Sequence, residues 1–290
     1  MKANAVGSAV VAMISFQLGA TMAKRLIPEI GAPGTTAFRL GLSALFMIVL
    51  QRPWRSIPSR AAWPVVLAYG LSLGAMNSVF YFALRTVPLG IAVALEFIGP
   101  LAVAVFASRR RLDYLWVVLA AIGLAVLLPI TRTGAALDPV GILCALAAGV
   151  GWALYIVFGQ KAGRAHGPSA ATWGLIIAAM LTVPIGVVDA GSRLLSPAAL
   201  PFGMGVAIFS SALPYTLEMV ALRRLSARAF GTLMSFEPAI AAVAGVVILG
   251  EHLTPLQYLA IGAIIVASAG AVAGEGEAEA RDATRADFAP

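Results

Sequence analysis

The chain is written in long apolar runs separated by short basic loops. Stretches without a formal charge run through 4–23, 61–84, 114–131, 139–160, 167–188, 194–217 and 253–274. Three more emerge when one charge is allowed in each: 30–51 around Arg39, 86–108 around Glu96 and 229–250 around Glu237. A helix needs about 20 mostly apolar residues to cross a bilayer core, so the pattern predicts ten spans. In 194–217, Pro197 and Pro201 suit a helix start, which sets the helix at about 201–221. The runs are continuous in Ala, Leu, Val and Gly, without the strict alternation of a membrane barrel. The first run, behind Lys2, is long for a cleaved leader and reads as a retained helix.

Composition turns this into a fold class. Of 290 residues, 60% are hydrophobic and 11% charged, with a mean hydropathy of +0.93. A soluble domain is about 45–50% apolar and about 25% charged, and a chain of this length cannot hide such an excess. The expectation is an all-α integral membrane protein of ten transmembrane helices. Cys144 is the lone cysteine, and His166 and His252 sit apart in short polar loops, so no disulfide, metal or cofactor is expected. The net charge of +7 is better explained by basic cytoplasmic loops than by nucleic acid. No Gly-rich loop ending in Lys-Ser/Thr is present, so ATP is not an expected driver.

The loop charges orient the spans. With both termini cytoplasmic, the inner segments hold Lys2, Arg52, Arg55, Arg60, Arg109, Arg110, Arg111, Lys161, Arg164, Arg223, Arg224, Arg228, Arg281 and Arg285. The outer loops hold only Lys24, Arg25, Arg85, Arg132 and Arg193. The tail 274–290 is small, polar and acidic, and is expected to be a disordered cytoplasmic segment.

A repeat runs beneath this pattern. Ala83-Leu84-Arg85 recurs as Ala221-Leu222-Arg223, Pro100 as Pro238, Ala121-Ile122-Gly123 as Ala260-Ile261-Gly262, and Pro33 with Phe38 as Pro168 with Trp173. All are separated by about 135–139 residues, which points to a duplicated five-helix unit over 4–130 and 138–273. Five is odd, so the second copy is inverted. Inverted repeats are a construction of secondary transporters, with the substrate site near the midplane between the halves.

Several segments carry a resemblance. They are Val87-Pro-Leu-Gly-Ile-Ala-Val-Ala-Leu-Glu96 continuing to Gly99-Pro100, Gly31-Ala-Pro-Gly34 with Arg39, and Leu213-Pro-Tyr-Thr-Leu-Glu218. Phe230-Gly-Thr-Leu-Met-Ser-Phe-Glu-Pro238 and Gly250-Glu-His-Leu-Thr-Pro255 complete the set. The chain resembles the drug/metabolite transporter superfamily, with two inverted five-helix EamA-type repeats. The resemblance implies a bacterial inner-membrane exporter of small amino acids, threonine and homoserine first, driven by the proton gradient. The same scaffold serves export of other amino acids, nucleosides or drugs.

Intramembrane charges need a reason. Glu96 and Glu237 lie near mid-span, each beside a helix-breaking proline, Pro100 and Pro238. Pro100 frees the carbonyl of Glu96 and Pro238 that of Met234, so each site offers a carboxyl and a backbone acceptor for an ammonium group or a proton. A structural carboxyl, neutral or paired with Arg39, is the plainer account of Glu96. Glu218 is read as an interfacial partner of Arg223 and Arg224, in balance with a site role. Arg39 either snorkels to water or anchors a carboxylate of Glu96 or of the substrate. Gly70, Gly74, Asn77 and Tyr81 share one face, Gln17 and Thr21 are a turn apart, as are Trp152 and Tyr155, and Ser211, Tyr215 and Glu218 align beside Pro214. The resemblance implies a central cavity lined by spans 1, 3, 4, 6, 8 and 9, which would gather these groups; helix–helix glue is the alternative for each. Trp54, Trp63 and Trp116 sit at span ends, where belt residues are found.

The working expectation is alternating access, with the substrate ammonium near Glu96 and its carboxylate on Asn77, Gln17 or Arg39. A proton arriving at Glu96 or Glu237 then resets the carrier. An enzyme is disfavoured because Asp113, Asp138 and Asp189 lie at span ends and neither histidine is in a span. A channel is disfavoured because the intramembrane charges form no ring.

Overall fold

The computed structural model describes residues 2–83, 85–87, 92, 95–107, 111–127, 138–197, 199–234, 236–237, 240 and part of 255–270. Among these residues the chain is helical and contains no strand. The helices are α1 (Lys2–Gln51), α2 (Trp63–Ala83), α3 (Ile98–Ala107), α4 (Arg111–Leu127), α5 (Pro139–His166) and α6 (Ala170–Ala190). Next come α7 (Ala199–Ala207), a π-helical turn (Ile208–Ala212), α8 (Leu213–Leu222) and α9 (Ala227–Met234).

Four helical runs are long and apolar enough to cross a membrane among the described residues: Leu26–Gln51, Trp63–Ala83, Pro139–Leu195 and Pro201–Leu222. Asn4–Gly19, Tyr114–Gly123 and Tyr258–Ala267 are shorter apolar helices. A multi-pass helical membrane protein follows. The last expected span, 253–274, is described only in part, and the tail 274–290 lies outside the described residues, as does most of the second half of 229–250.

The start of the chain differs from the expectation of two spans joined by a loop at 24–29. The backbone stays helical through that loop and breaks at Gly31, with φ 73° and ψ 170°. A positive φ of this kind carries little penalty only for glycine, and Pro33 then restarts the helix in a first-turn position that needs no N–H. The two arms of α1 flank the same helix. Gly19 on the first arm packs against Ser210, and Arg39 on the second donates to the Ser210 hydroxyl.

Small residues set the spacing of the bundle. On α2, Gly70 and Gly74 seat Ile177 and Ala178 of α6, while Met76 and Tyr69 lie on Gly151 and Gly159 of α5. The carbonyl of Gly149 fills the space where a Cβ of Gly99 would stand, so α3 and α5 touch backbone to backbone. Without a hydrophobic force between helices in lipid, such close packing is a main source of association. Val66, Leu73, Ile156, Leu175 and Met219 fill the core between these contacts.

The loops gather at two ends. At one, the Ser56 carbonyl accepts from Trp173 Nε1 at 2.9 Å and lies 2.9 Å from His166 Nε2. Trp173 packs edge-on against Trp63, with ring centroids 5.1 Å apart. Gln160 donates to Leu225 O at 2.6 Å at the same end. At the other end Arg85 pairs with Asp189 at 2.7 Å, and the Gly31 turn sits beside Asp189. There Asp138 caps α5 through Val140 N and Gly141 N, both at 3.2 Å. The Thr86 hydroxyl and these two N–H groups hold the Asp138 carboxyl below its usual range.

Candidate functional site

The interior polar groups divide into two corners along one helical column. The first centres on Arg39, in the second arm of α1. Arg39 Nη1 donates to Ser210 Oγ at 3.3 Å, Nη2 donates to Asn77 Oδ1, and the guanidinium lies 5.7 Å from the Tyr81 ring centroid. Asn77 Nδ2 donates to Leu73 O at 2.7 Å and to the Tyr215 hydroxyl at 3.3 Å. Arg39, itself partly buried, is thus held by α2 and the π-helical turn. Its buried Nε has no partner among the described residues. A guanidinium with a vacant donor is suited to receive a carboxylate.

The π-helical turn explains how Ser210 comes to lie here. Pro214 has no N–H to give the Ser210 carbonyl, and its ring crowds that carbonyl. The helix loosens into a wider turn one step earlier, a form often found at functional positions. Carbonyls near the turn take partners from α1. Phe209 O accepts from Ser15 Oγ at 2.6 Å, and Ala207 O accepts from Ser43 Oγ at 2.6 Å. Ser211, next to Ser210, is fully buried, and its hydroxyl has no partner among the described residues.

The second corner is Tyr155 with Glu218. Tyr155 donates its hydroxyl to Glu218 Oε2 at 2.5 Å, and Glu218 is only 2% exposed. Of the two arginines expected to pair with Glu218 at the interface, Arg223 instead gives its Nε to Gly163 O at 3.0 Å. Tyr69 lies 5.3 Å from Tyr155 and Tyr215 lies 5.9 Å from it, ring to ring. Phe16 of α1 closes on Tyr215 at 5.4 Å. Four aromatic rings thus join the two corners.

Glu96 is buried just before α3, in a helical stretch interrupted at Phe97. Its freed carbonyl lies 2.8 Å from where a Cβ of Gly149 would stand. Pro100 turns its own carbonyl to Gly231 of α9. Glu96 and Glu237 are within electrostatic reach of each other, and Arg39 acts on both. Trp152 packs edge-on against Phe97 at 4.9 Å. Gln17 is half-buried on the first arm of α1. Pro238 and the Thr21 side chain lie outside the described residues.

The structure thus brings together Arg39, Asn77, Tyr81, Tyr215, Tyr155 and Glu218, with Glu96 and Glu237 nearby. Tyr69 and Ser210 were not singled out in the sequence. A tyrosine hydroxyl in mid-span was the available sign for Tyr69. Ser210 had none, because a regular helix would turn only Ser211 toward the Tyr215 face.

Residues 139–273 match the EamA-like transporter family. The chain is 55% identical over 260 residues to the threonine/homoserine exporter RhtA of Escherichia coli (strain K12), covering 90% of this chain and 88% of that one. The same identity and coverage hold for the threonine/homoserine exporter RhtA of Salmonella typhimurium (strain LT2). An uncharacterized transporter of Bacillus subtilis (strain 168), YwfM, is 26% identical over 272 residues, 90% of this chain and 91% of that one. A crystal structure superposes with a TM-score of 0.77 at 19% identity, over 93% of this chain and 97% of that one, which speaks for the fold alone.

Proposed function

Because this chain belongs to the EamA-like transporter family, we propose that it is a secondary carrier exporting threonine and homoserine from the bacterial cytoplasm across the inner membrane. The observation that carries this reading is the 55% identity to named threonine/homoserine exporters, which extends over 90% of the chain. In this reading ten helices form two inverted repeats, 4–130 and 138–273, with both termini cytoplasmic. The family match to 139–273 supports the second boundary, and the loop charges support the orientation.

The site chemistry suits a zwitterion. The substrate carboxylate meets Arg39, whose geometry Asn77 and Ser210 hold in advance. Asn77 spends its own donors on Leu73 and Tyr215, so it orients the guanidinium rather than binding the substrate. The ammonium meets the carboxyl of Glu96 or Glu237, with Tyr81, Trp152 and Gln17 shaping the walls. Entry of a proton from outside competes with the ammonium and returns the carrier. Rocking of one repeat on the other provides alternating access. The lipid bilayer and protons are the implied partners, with no cofactor.

The test is efflux from cells stripped of their own exporters and loaded with labelled threonine or homoserine. Faster efflux with this protein, abolished by an uncoupler, is the expected result. Unchanged efflux of both amino acids overturns the substrate and turns attention to other amino acids, nucleosides or drugs.

A further inference from the structure

We propose that Glu218 is the residue that carries the proton, with Tyr155 positioning its carboxyl. This rests on the reading of proton-coupled export above and assigns the coupling step within it.

Three carboxyl groups are described in the interior, and their surroundings differ. Glu96 and Glu237 share the field of Arg39. Glu218 has a phenol as its partner. Tyr155 of α5 donates to it at 2.5 Å. Tyr69 of α2 and Tyr215 of α8 approach the same place as neutral rings, and Glu237 adds a like charge across the gap. Arg223, at the end of α8, is committed to Gly163 O. A carboxyl taken from water with no cation in contact among the described residues needs a neutralising partner. Here the partner is one that arrives and leaves in each cycle. Glu96 and Glu237 then remain with Arg39 for the substrate's two charges.

The geometry also supplies a link between proton and substrate. Tyr155 stands against Tyr215, whose hydroxyl accepts from Asn77, which in turn accepts from Arg39. When the Glu218 carboxyl gains its proton it becomes a weaker acceptor, and the bond from the Tyr155 hydroxyl slackens. The next groups to adjust are those that hold the guanidinium.

The experiment uses the full chain in proteoliposomes and labelled threonine in two assays: uptake driven by a pH gradient, and exchange against unlabelled threonine at equal pH. Glu218→Gln is expected to reduce gradient-driven uptake to its level without a gradient, while exchange stays within about threefold of wild type. Glu96→Gln, which removes a substrate contact, is expected to lower both assays together. The proposal is overturned if Glu218→Gln remains gradient-driven, or if it loses exchange as fully as drive, which would make it a substrate ligand. If Glu218→Gln fails to reach the membrane, Tyr155→Phe decides. It keeps the carboxyl and removes the donor, and its driven uptake should shift along the pH axis with exchange retained. An unshifted profile overturns the proposal. A wild-type protein indifferent to the gradient overturns proton coupling itself, and the assignment with it; labelled exchange by the same vesicles keeps the substrate reading separate.

Discussion

Arg39 and Arg85 are the same side chain in two settings. Arg85 pairs with Asp189 at the rim, where the two side chains are 46% and 33% exposed. Arg39 sits among α1, α2 and the π-helical turn, with Asn77, Ser210 and Tyr81 around it. The rim pair is matched charge for charge and is bathed in solvent. The inner cation is held by neutral groups, and its counter-charge comes from carboxyls at a distance. A cation arranged that way leaves room for the carboxylate that the proposed function assigns to it. The difference teaches that an arginine's number of hydrogen bonds says little about its role; the missing charge says more.

Substitutions can break this contrast, and their expected effects fall in order. Arg39→Ala should lower threonine efflux most, by about 30-fold or more, as for loss of one partner of a buried charge pair. Arg39→Lys should recover little, because an ammonium cannot satisfy Asn77, Ser210 and a carboxylate in one plane. Cellular efflux with quantified membrane abundance separates these from misfolding. Asn77→Leu removes the brace while leaving the cation, and should destabilise by about 1–3 kcal/mol, the cost of stranding a buried partner. Its readout is thermal melting in detergent alongside the threonine KM. Acidification should act on the rim through Asp138. Its folded pKa is depressed, so its stabilising effect is present above the ordinary carboxylate value and is lost as pH falls through the folded one. Melting followed from neutral to acid should therefore show a smaller acid-induced loss in Asp138→Asn than in wild type. Arg85→Ala should do least, within about 1 kcal/mol, since an exposed pair is screened. An efflux defect in Arg85→Ala larger than that of Asn77→Leu would sink the contrast.

The sequence made parts of this arrangement legible and hid others. Helical membrane character follows from run length and composition, because lipid forces backbone groups to pair within each segment. Asn77, Tyr81, Tyr155, Tyr215 and Glu218 were legible as polar groups in apolar runs. The meeting of Arg39 with Asn77 was not, since it depends on how α1 folds back at Gly31 and on α2 being drawn close through Gly70 and Gly74. Glu218 read as interfacial because Arg223 follows it closely in sequence. The helix end instead turned that arginine to Gly163 and left the carboxyl inside. Ser210 was hidden for a geometric reason, because regular helical periodicity fails across a π-helical turn.

That turn also fixes the chain's length. Each residue of an α-helix advances the helix by about 100° of rotation, so a wide turn works as a phase shifter. Everything after Ala212 is rotated relative to what precedes Ile208. Deleting one residue from this stretch would restore regular pitch and remove the wide turn that presents Ser210, while inserting one would swing Tyr215 and Glu218 off their bearing. The spacing between Ala207 and Leu213 is thus a quantity under as much constraint as any side chain, and insertions or deletions there should be tolerated less than point changes.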